Sequence, residues 1–149
     1  MTPVKQLLRH KPHEGIYGDC HRAALASILE MPIEDIPHFG DLSLYSEEEW
    51  ARAERDWLLG IGYIPISLFY ETDDLAGVLF STGYLNPDTY GILGGTSRNG
   101  VGHSVVICNG AIVHDPSQDD SGIIGPMKDG RFWVTWFGNI KALASKESR

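Results

Sequence analysis

The stretch Gly18-Asp19-Cys20-His21-Arg22-Ala23-Ala24-Leu25-Ala26-Ser27-Ile28-Leu29 constrains this chain most, because it fixes the start of a helix and puts a cysteine on it. Gly18 lets the backbone turn sharply, and Asp19 is a good N-cap whose side-chain oxygen can accept one of the free backbone N–H groups. Cys20 is then the first helical residue. There the unpaired N–H groups and the positive end of the helix dipole favour thiolate, so the pattern predicts a sulfur more acidic than a free cysteine. Small residues at 23, 24 and 26 allow close approach by other elements, and Pro32 ends the helix near Leu29. A buried, inert cysteine would fit the same helix, since free cysteine is among the most buried residue types. Chemistry at Cys20 therefore requires a base supplied from elsewhere in the chain.

The second decisive stretch runs from Val101 to Asp115. Val101-Gly102-His103-Ser104-Val105-Val106-Ile107-Cys108 and Ala111-Ile112-Val113-His114-Asp115 are β-rich runs joined through Asn109-Gly110, a strong hairpin signal. A two-residue turn at Asn109-Gly110 pairs His103 with Pro116 and sends His103 and Asp115 to opposite faces. A three-residue loop, Cys108-Asn109-Gly110, pairs His103 directly with Asp115. The second register is preferred here, because it lets the two side chains hydrogen-bond. The rest of that face, Val105, Ile107, Ala111 and Val113, is then expected to bury against the cysteine helix.

The remaining elements read as scaffold. Met1 to Tyr17 is mostly irregular, with a short extended or helical piece over Val4–Arg9 that contains Gln6. Pro32 begins a short helical turn, and Pro37-His38-Phe39 follows as packing, His38 included. Ser46-Glu47-Glu48-Glu49 is a capping box, and Trp50, Ala53, Trp57 and Leu58 recur at helical spacing with both tryptophans assigned to the core. Tyr63–Phe69 is a strand whose Pro65 argues for a sheet edge. A short helix is expected from Asp73 or Asp74 to Phe80, a strand over Tyr90–Gly95, and a final strand over Arg131–Phe137 that closes the sheet.

With 149 residues, the chain is long enough for one domain with its own core, over 1–144, followed by a loose tail over 145–149. Its two cysteines make no disulfide framework, and a bridge between Cys20 and Cys108 would consume the candidate nucleophile. A net charge of −8 with no basic cluster argues against nucleic acid, and no apolar stretch approaches a membrane span. The absence of a signal-peptide pattern leads to the expectation of a soluble, cytoplasmic protein. His10, His13, Cys20 and His21 are close in sequence, but with no paired Cys-x-x-Cys they make a weak metal pattern, and no metal site is assigned. His114 alternates away from Asp115 and is expected to be structural or exposed.

Cys20, His103 and Asp115 supply a nucleophile, a base and a group to orient the base. Gly18-Asp19-Cys20 running into Ala23-Ala24-Leu25-Ala26, then Gly102-His103-Ser104-Val105-Val106, then Val113-His114-Asp115-Pro116, resembles the papain-like peptidase domains that trim leader peptides in bacteriocin-exporting transporters. A closer resemblance is to a group of short phage and bacterial proteins of that type. They carry an N-terminal glutamine, a cysteine helix ending in a Leu-Pro-type turn with a later Pro-x-Phe, and a Gly-x-Ser-x-Arg-Gly loop before the histidine. This chain shows Gln6, Met31-Pro32, Pro37-His38-Phe39 and Gly94-Gly95-Thr96-Ser97-Arg98-Asn99-Gly100. The match covers roughly the first 40 residues and 90 to 125.

The resemblance implies an α+β, papain-like fold, with the cysteine helix packed on an antiparallel sheet that carries His103 and Asp115. It makes Cys20 the nucleophile, His103 the base, Asp115 the orienter and Gln6 an oxyanion donor, with Ser97 and Arg98 shaping the substrate loop. The implied reaction is hydrolysis of a peptide, isopeptide or small amide with no cofactor, in the cytoplasm of a bacterial host if the chain is phage-encoded. The contrasting expectation is a catalytically silent papain-like protein that binds a host protein or a small ligand. Neither reading fixes an oligomeric state.

Overall fold

A computed structural model describes residues 1–140, so the tail expected over 145–149 lies outside the described residues. The cysteine stretch forms an α-helix, α1, at Cys20–Leu29, closed by Glu30 in a left-handed conformation whose N–H returns to the Ala26 carbonyl. Ala23, Ala24, Leu25 and Ala26 are fully buried, because three small side chains in four let the helix lie directly on a sheet. Pro32 introduces a single 3₁₀ turn at Ile33–Asp35, and Ile33, Ile36 and Phe39 pack beneath α1 as their spacing predicts.

Two further α-helices are α2 (Trp50–Gly60) and α3 (Leu75–Leu85). The capping box expected at Ser46 does not form. The N–H groups of Glu49 and Trp50 bond to the Ser46 backbone carbonyl, and no side chain caps α2. Trp57 packs against Phe39 at 6.0 Å between ring centroids, as a core tryptophan should. Trp50, expected beside it, is instead 37% exposed, because α2 begins there rather than a turn earlier. α3 outruns its expected end at Phe80. Asp74 accepts from the Gly77 N–H and starts the helix.

Five strands form one antiparallel sheet, β1 (Tyr63–Glu71), β2 (Gly91–Thr96), β3 (Gly102–Cys108), β4 (Ala111–His114) and β5 (Arg131–Asn139), in the order β1-β5-β2-β3-β4. Pro65 lies in edge strand β1, where its missing N–H costs no ladder bond. The last strand does not close the sheet. It runs through the interior, paired to β1 on one side and β2 on the other. Its aromatic residues on both faces suit it to that place, since helices cover the sheet on two sides. Ile92 and Val106 join α1 and Leu58 of α2 in one cluster, whereas Leu93, Val105, Ile107 and Val134 join Val78 of α3 in the other.

The β3–β4 hairpin corrects the expected register. Asn109 and Gly110 both take positive φ, 51° and 78°, and form a two-residue turn that pairs Cys108 with Ala111 and Ile107 with Ile112. One residue further on the ladder shifts, and Val106 pairs with His114, so Val113 is an extra residue in β4. That bulge reverses the parity of everything after it. Asp115 therefore shares a face with Val105 and His103 after all. This face carries Val105 and Ile107 against α3, not against the cysteine helix, and Ala111 and Val113 are exposed.

α3 meets the hairpin turn through Gly83, where an added Cβ would lie 2.8 Å from the carbonyl carbon of Asn109 and from the Gly110 Cα. Gly83→Ala is expected to lower stability by about 1–3 kcal/mol through backbone overpacking. Gly60→Ala, in α2 with nothing within 4 Å of the new methyl, is expected to raise it by about 0.5–1 kcal/mol. Urea denaturation of both variants measures the two opposite signs.

Candidate active site

Cys20 opens α1 at the edge of the sheet, where β3 has outrun β4. The last paired residue of β4 is His114, opposite Val106, so the backbone of Ser104 is free to approach the helix. Its N–H is directed at the Cys20 sulfur, as are the N–H groups of His21 and Cys20 itself. His103, one residue before Ser104, and Cys20 line the same cleft, of about 410 Å³. They meet at the margin of the sheet although α1 packs on the Val106 face of β3 and His103 belongs to the opposite, Val105 face.

Asp19 caps in an unexpected direction. Its Oδ1 accepts from the N–H groups of Leu7 and Leu8, at 3.0 and 2.8 Å, and the side chain caps no backbone N–H of the helix. The predicted N-cap bond is absent because the lead-in segment competes for the carboxylate and wins, and this leaves the first N–H groups of α1 for the sulfur. Asp19 is fully buried, with Arg22 Nη1 3.6 Å from Oδ2. The expected acidity of the thiol is also reversed. Burial pushes the Cys20 thiol above its ordinary value, and the adjacent Asp19 carboxylate adds to the rise, against the pull of the three N–H groups. Cys20 and Cys108 are both free thiols.

His103 is 6% exposed and holds Asp115 through a 2.6 Å contact between Nε2 and Oδ1. Asp115 is itself tightly bound. Oδ1 also accepts from Ser117 N–H and Oδ2 from Gly122 N–H, at 2.9 and 2.8 Å. Burial alone would raise the Asp115 carboxyl, but the bonds from His103, Ser117 and Gly122 outweigh it and hold the group at about 2. A carboxylate so fixed accepts only, so Nε2 must carry a proton, and Nδ1 is the ring nitrogen left to exchange one.

Gln6 lines the cleft, and its Nε2 donates to the Leu8 carbonyl at 2.7 Å. The extended lead-in that carries it is pinned on both sides. Gln6 N–H bonds to Pro116 O, and Lys5 Nζ bonds to the carbonyls of Asp115 and Ser117. Ser97 is buried in the cleft wall, with its Oγ accepting from Asn99 N–H. Arg98, expected beside it at the substrate loop, directs its guanidinium to the carbonyls of Asp119 and Asp120 and so ties down the loop that cages Asp115.

Sequence reasoning missed Ser117 and Gly122, which hold the carboxylate, and Arg9, whose 3.2 Å ion pair with Asp119 crosses the rim of the cleft. A polar run ending in Gly122, at φ +66°, was the one available signal for the carboxylate cage. His10 accepts from Gly18 N–H and His38 bonds to Tyr17 O, so both brace the turn before Cys20. His114 bonds to Val4 O. No three His, Cys, Asp or Glu side chains among the described residues group as metal ligands.

These elements define an α+β protein with a five-stranded antiparallel sheet and a cysteine at the start of its N-terminal α-helix. No family model, curated protein or solved structure matches the chain. Among the described residues no helix is long and apolar enough to cross a membrane.

The lowered Asp115 carboxyl sets a pH dependence. Its folded value, about 2, lies below the ordinary 3.8, so its stabilising contribution is present above the ordinary value and lost as pH falls through the folded one. Urea midpoints of the wild type and Asp115→Asn are expected to differ by a constant amount at neutral pH. The gap should close between about pH 4 and pH 2.

Proposed function

We propose that this chain is a papain-like, cysteine-dependent acyl-transfer hydrolase acting on a peptide, isopeptide or other amide bond. The observation that carries the reading is the 2.6 Å bond between His103 Nε2 and Asp115, on a histidine that shares a cleft with Cys20. Burial keeps the resting sulfur as a thiol. His103 Nδ1 takes its proton as the sulfur attacks the carbonyl carbon, and Asp115 stabilises the imidazolium that forms. The oxyanion is held by the Cys20 backbone N–H and by the second N–H of the Gln6 amide, the first being bonded to Leu8 O. His103 then protonates the leaving amine, and water, activated by the same ring, clears the thioester.

Ser97 shapes the wall of the cleft, and Arg98 acts through its hold on the 119–120 carbonyls. The chemistry needs no cofactor. The resemblance to phage and bacterial proteins supports a bacterial cytoplasm as the place of action if the chain is phage-encoded, with a protein, peptide or small amide as substrate.

Alkylation by iodoacetamide tests the Cys20–His103 pair, in a Cys108→Ser background so that one thiol reports. The parent is expected to react at pH 7, and His103→Ala to react there about a hundredfold more slowly, recovering only above the ordinary thiol range. Identical pH profiles would mean that Cys20 has no base, and would return the protein to the ligand-binding alternative. On an amide substrate found by screening, Cys20→Ala should abolish turnover and Gln6→Ala should slow it about a hundredfold.

A further inference from the structure

On the other side of the Cys20–Ser104 contact lies a second cavity, also of about 410 Å³, between the start of α2 and strands β1, β5, β2 and β3. Its walls are Trp50, Ala51, Ile92, Met127 and Trp133. The two tryptophans, 37% and 36% exposed, flank it without belonging to either core cluster. Gly94 contributes to the floor. A Cβ there would meet nothing nearer than the Trp133 Cβ at 3.7 Å, and its φ is not left-handed, so neither packing nor backbone demands a glycine. Its missing side chain is open volume.

One end of this cavity is polar. His21 Nε2 lies 3.0 and 3.1 Å from the two carboxylate oxygens of Glu54, and Nδ1 lies 3.3 Å from Ser104 Oγ. Glu54 is only 6% exposed, in a helix whose sequence gave no reason to bury it. Burial disfavours the imidazolium, yet the Glu54 carboxylate prevails and raises His21 above its ordinary value. The Glu54 carboxylate accepts from Nε2–H, and Ser104 Oγ, on the Nδ1 side of the ring, brings a hydroxyl to this end of the cavity. His21 is paired with Glu54, so this end offers the Ser104 hydroxyl, a group able to donate or accept, beside an already partnered pair.

We infer that this cavity is a binding site for a small aromatic or branched aliphatic molecule whose apolar body lies between Trp50 and Trp133 and whose carbonyl oxygen accepts from the Ser104 hydroxyl. Its volume falls within the usual range of ligand pockets, roughly 300–1,000 Å³, and its apolar walls with a few convergent polar groups have the usual composition. A carboxylate is disfavoured, since no unpaired cation among the described residues lines the cavity. The site does not depend on turnover at Cys20.

Intrinsic tryptophan fluorescence of the full chain, titrated with benzamide and separately with toluene, tests the assignment. Benzamide has the carbonyl and toluene does not. Both are expected to give saturable changes in the wild type, and Gly94→Leu, which fills the floor, should remove both. Trp133→Ala, which removes a solvent-facing wall, should weaken both and tests the same cavity without a strand-interior insertion. Ser104→Ala should weaken benzamide about tenfold, the equivalent of one hydrogen bond, and leave toluene unchanged. Linear, non-saturating signals for both probes in the wild type overturn the proposal. So does saturation that Gly94→Leu, in a chain that keeps its wild-type melting temperature, and Trp133→Ala leave unaltered. Equal benzamide affinity in Ser104→Ala overturns the carbonyl assignment.

Discussion

Side chains alternate along a strand, so the extra residue at Val113 governs whether Asp115 can reach His103 at all. The Asn109-Gly110 turn is the tightest the hairpin could adopt, and its twist suits the strands, but alone it would face Asp115 away from the histidine. The bulge reverses that parity within one residue and ends the ladder at His114. Both consequences matter. Asp115 comes onto the face of His103, and the freed edge of β3 leaves the Ser104 N–H for the sulfur of Cys20. The bond between His103 and Asp115 is therefore a product of strand register before it is a product of residue type.

The electrostatics around Cys20 follow from where Asp19 sends its carboxylate. Bonded to Leu7 and Leu8, it draws the lead-in segment over the start of α1, and Lys5 and Gln6 then fasten that segment to the loop that cages Asp115. The same buried carboxylate sits beside the sulfur and, with burial, disfavours its negative charge. The helix terminus works in the opposite direction through its free N–H groups. Burial is the stronger effect, so the helix start does not by itself make this thiol acidic.

Ser104 lies between the cysteine cleft and the tryptophan-walled cavity. Its backbone faces the cysteine, while its hydroxyl faces His21 and the tryptophan-walled cavity. Consecutive residues thus serve opposite sides of the same junction, His103 with Cys20 and Ser104 with His21. Alternation along β3 and the turn of α1 produce this division without any further element.

The sequence by itself determined the local structure. The small residues and Pro32 set the span of α1, Asn109-Gly110 set the hairpin, and Pro65 marked an edge, because each of these depends on backbone conformation within a few residues. It also named the residue types of the candidate site and their order along the chain. Tertiary structure decided the rest. The bulge at Val113, the interior place of β5, the diversion of Asp19 to the lead-in and the burial of Glu54 against His21 all depend on partners tens of residues away. A lone N-cap motif could not reveal that competition, and an amphipathic pattern could not reveal that Trp50 would wall a cavity while Trp57 entered the core. Local sequence fixes which bonds a residue can make, whereas the packed chain fixes which of the competing partners is near enough to make them.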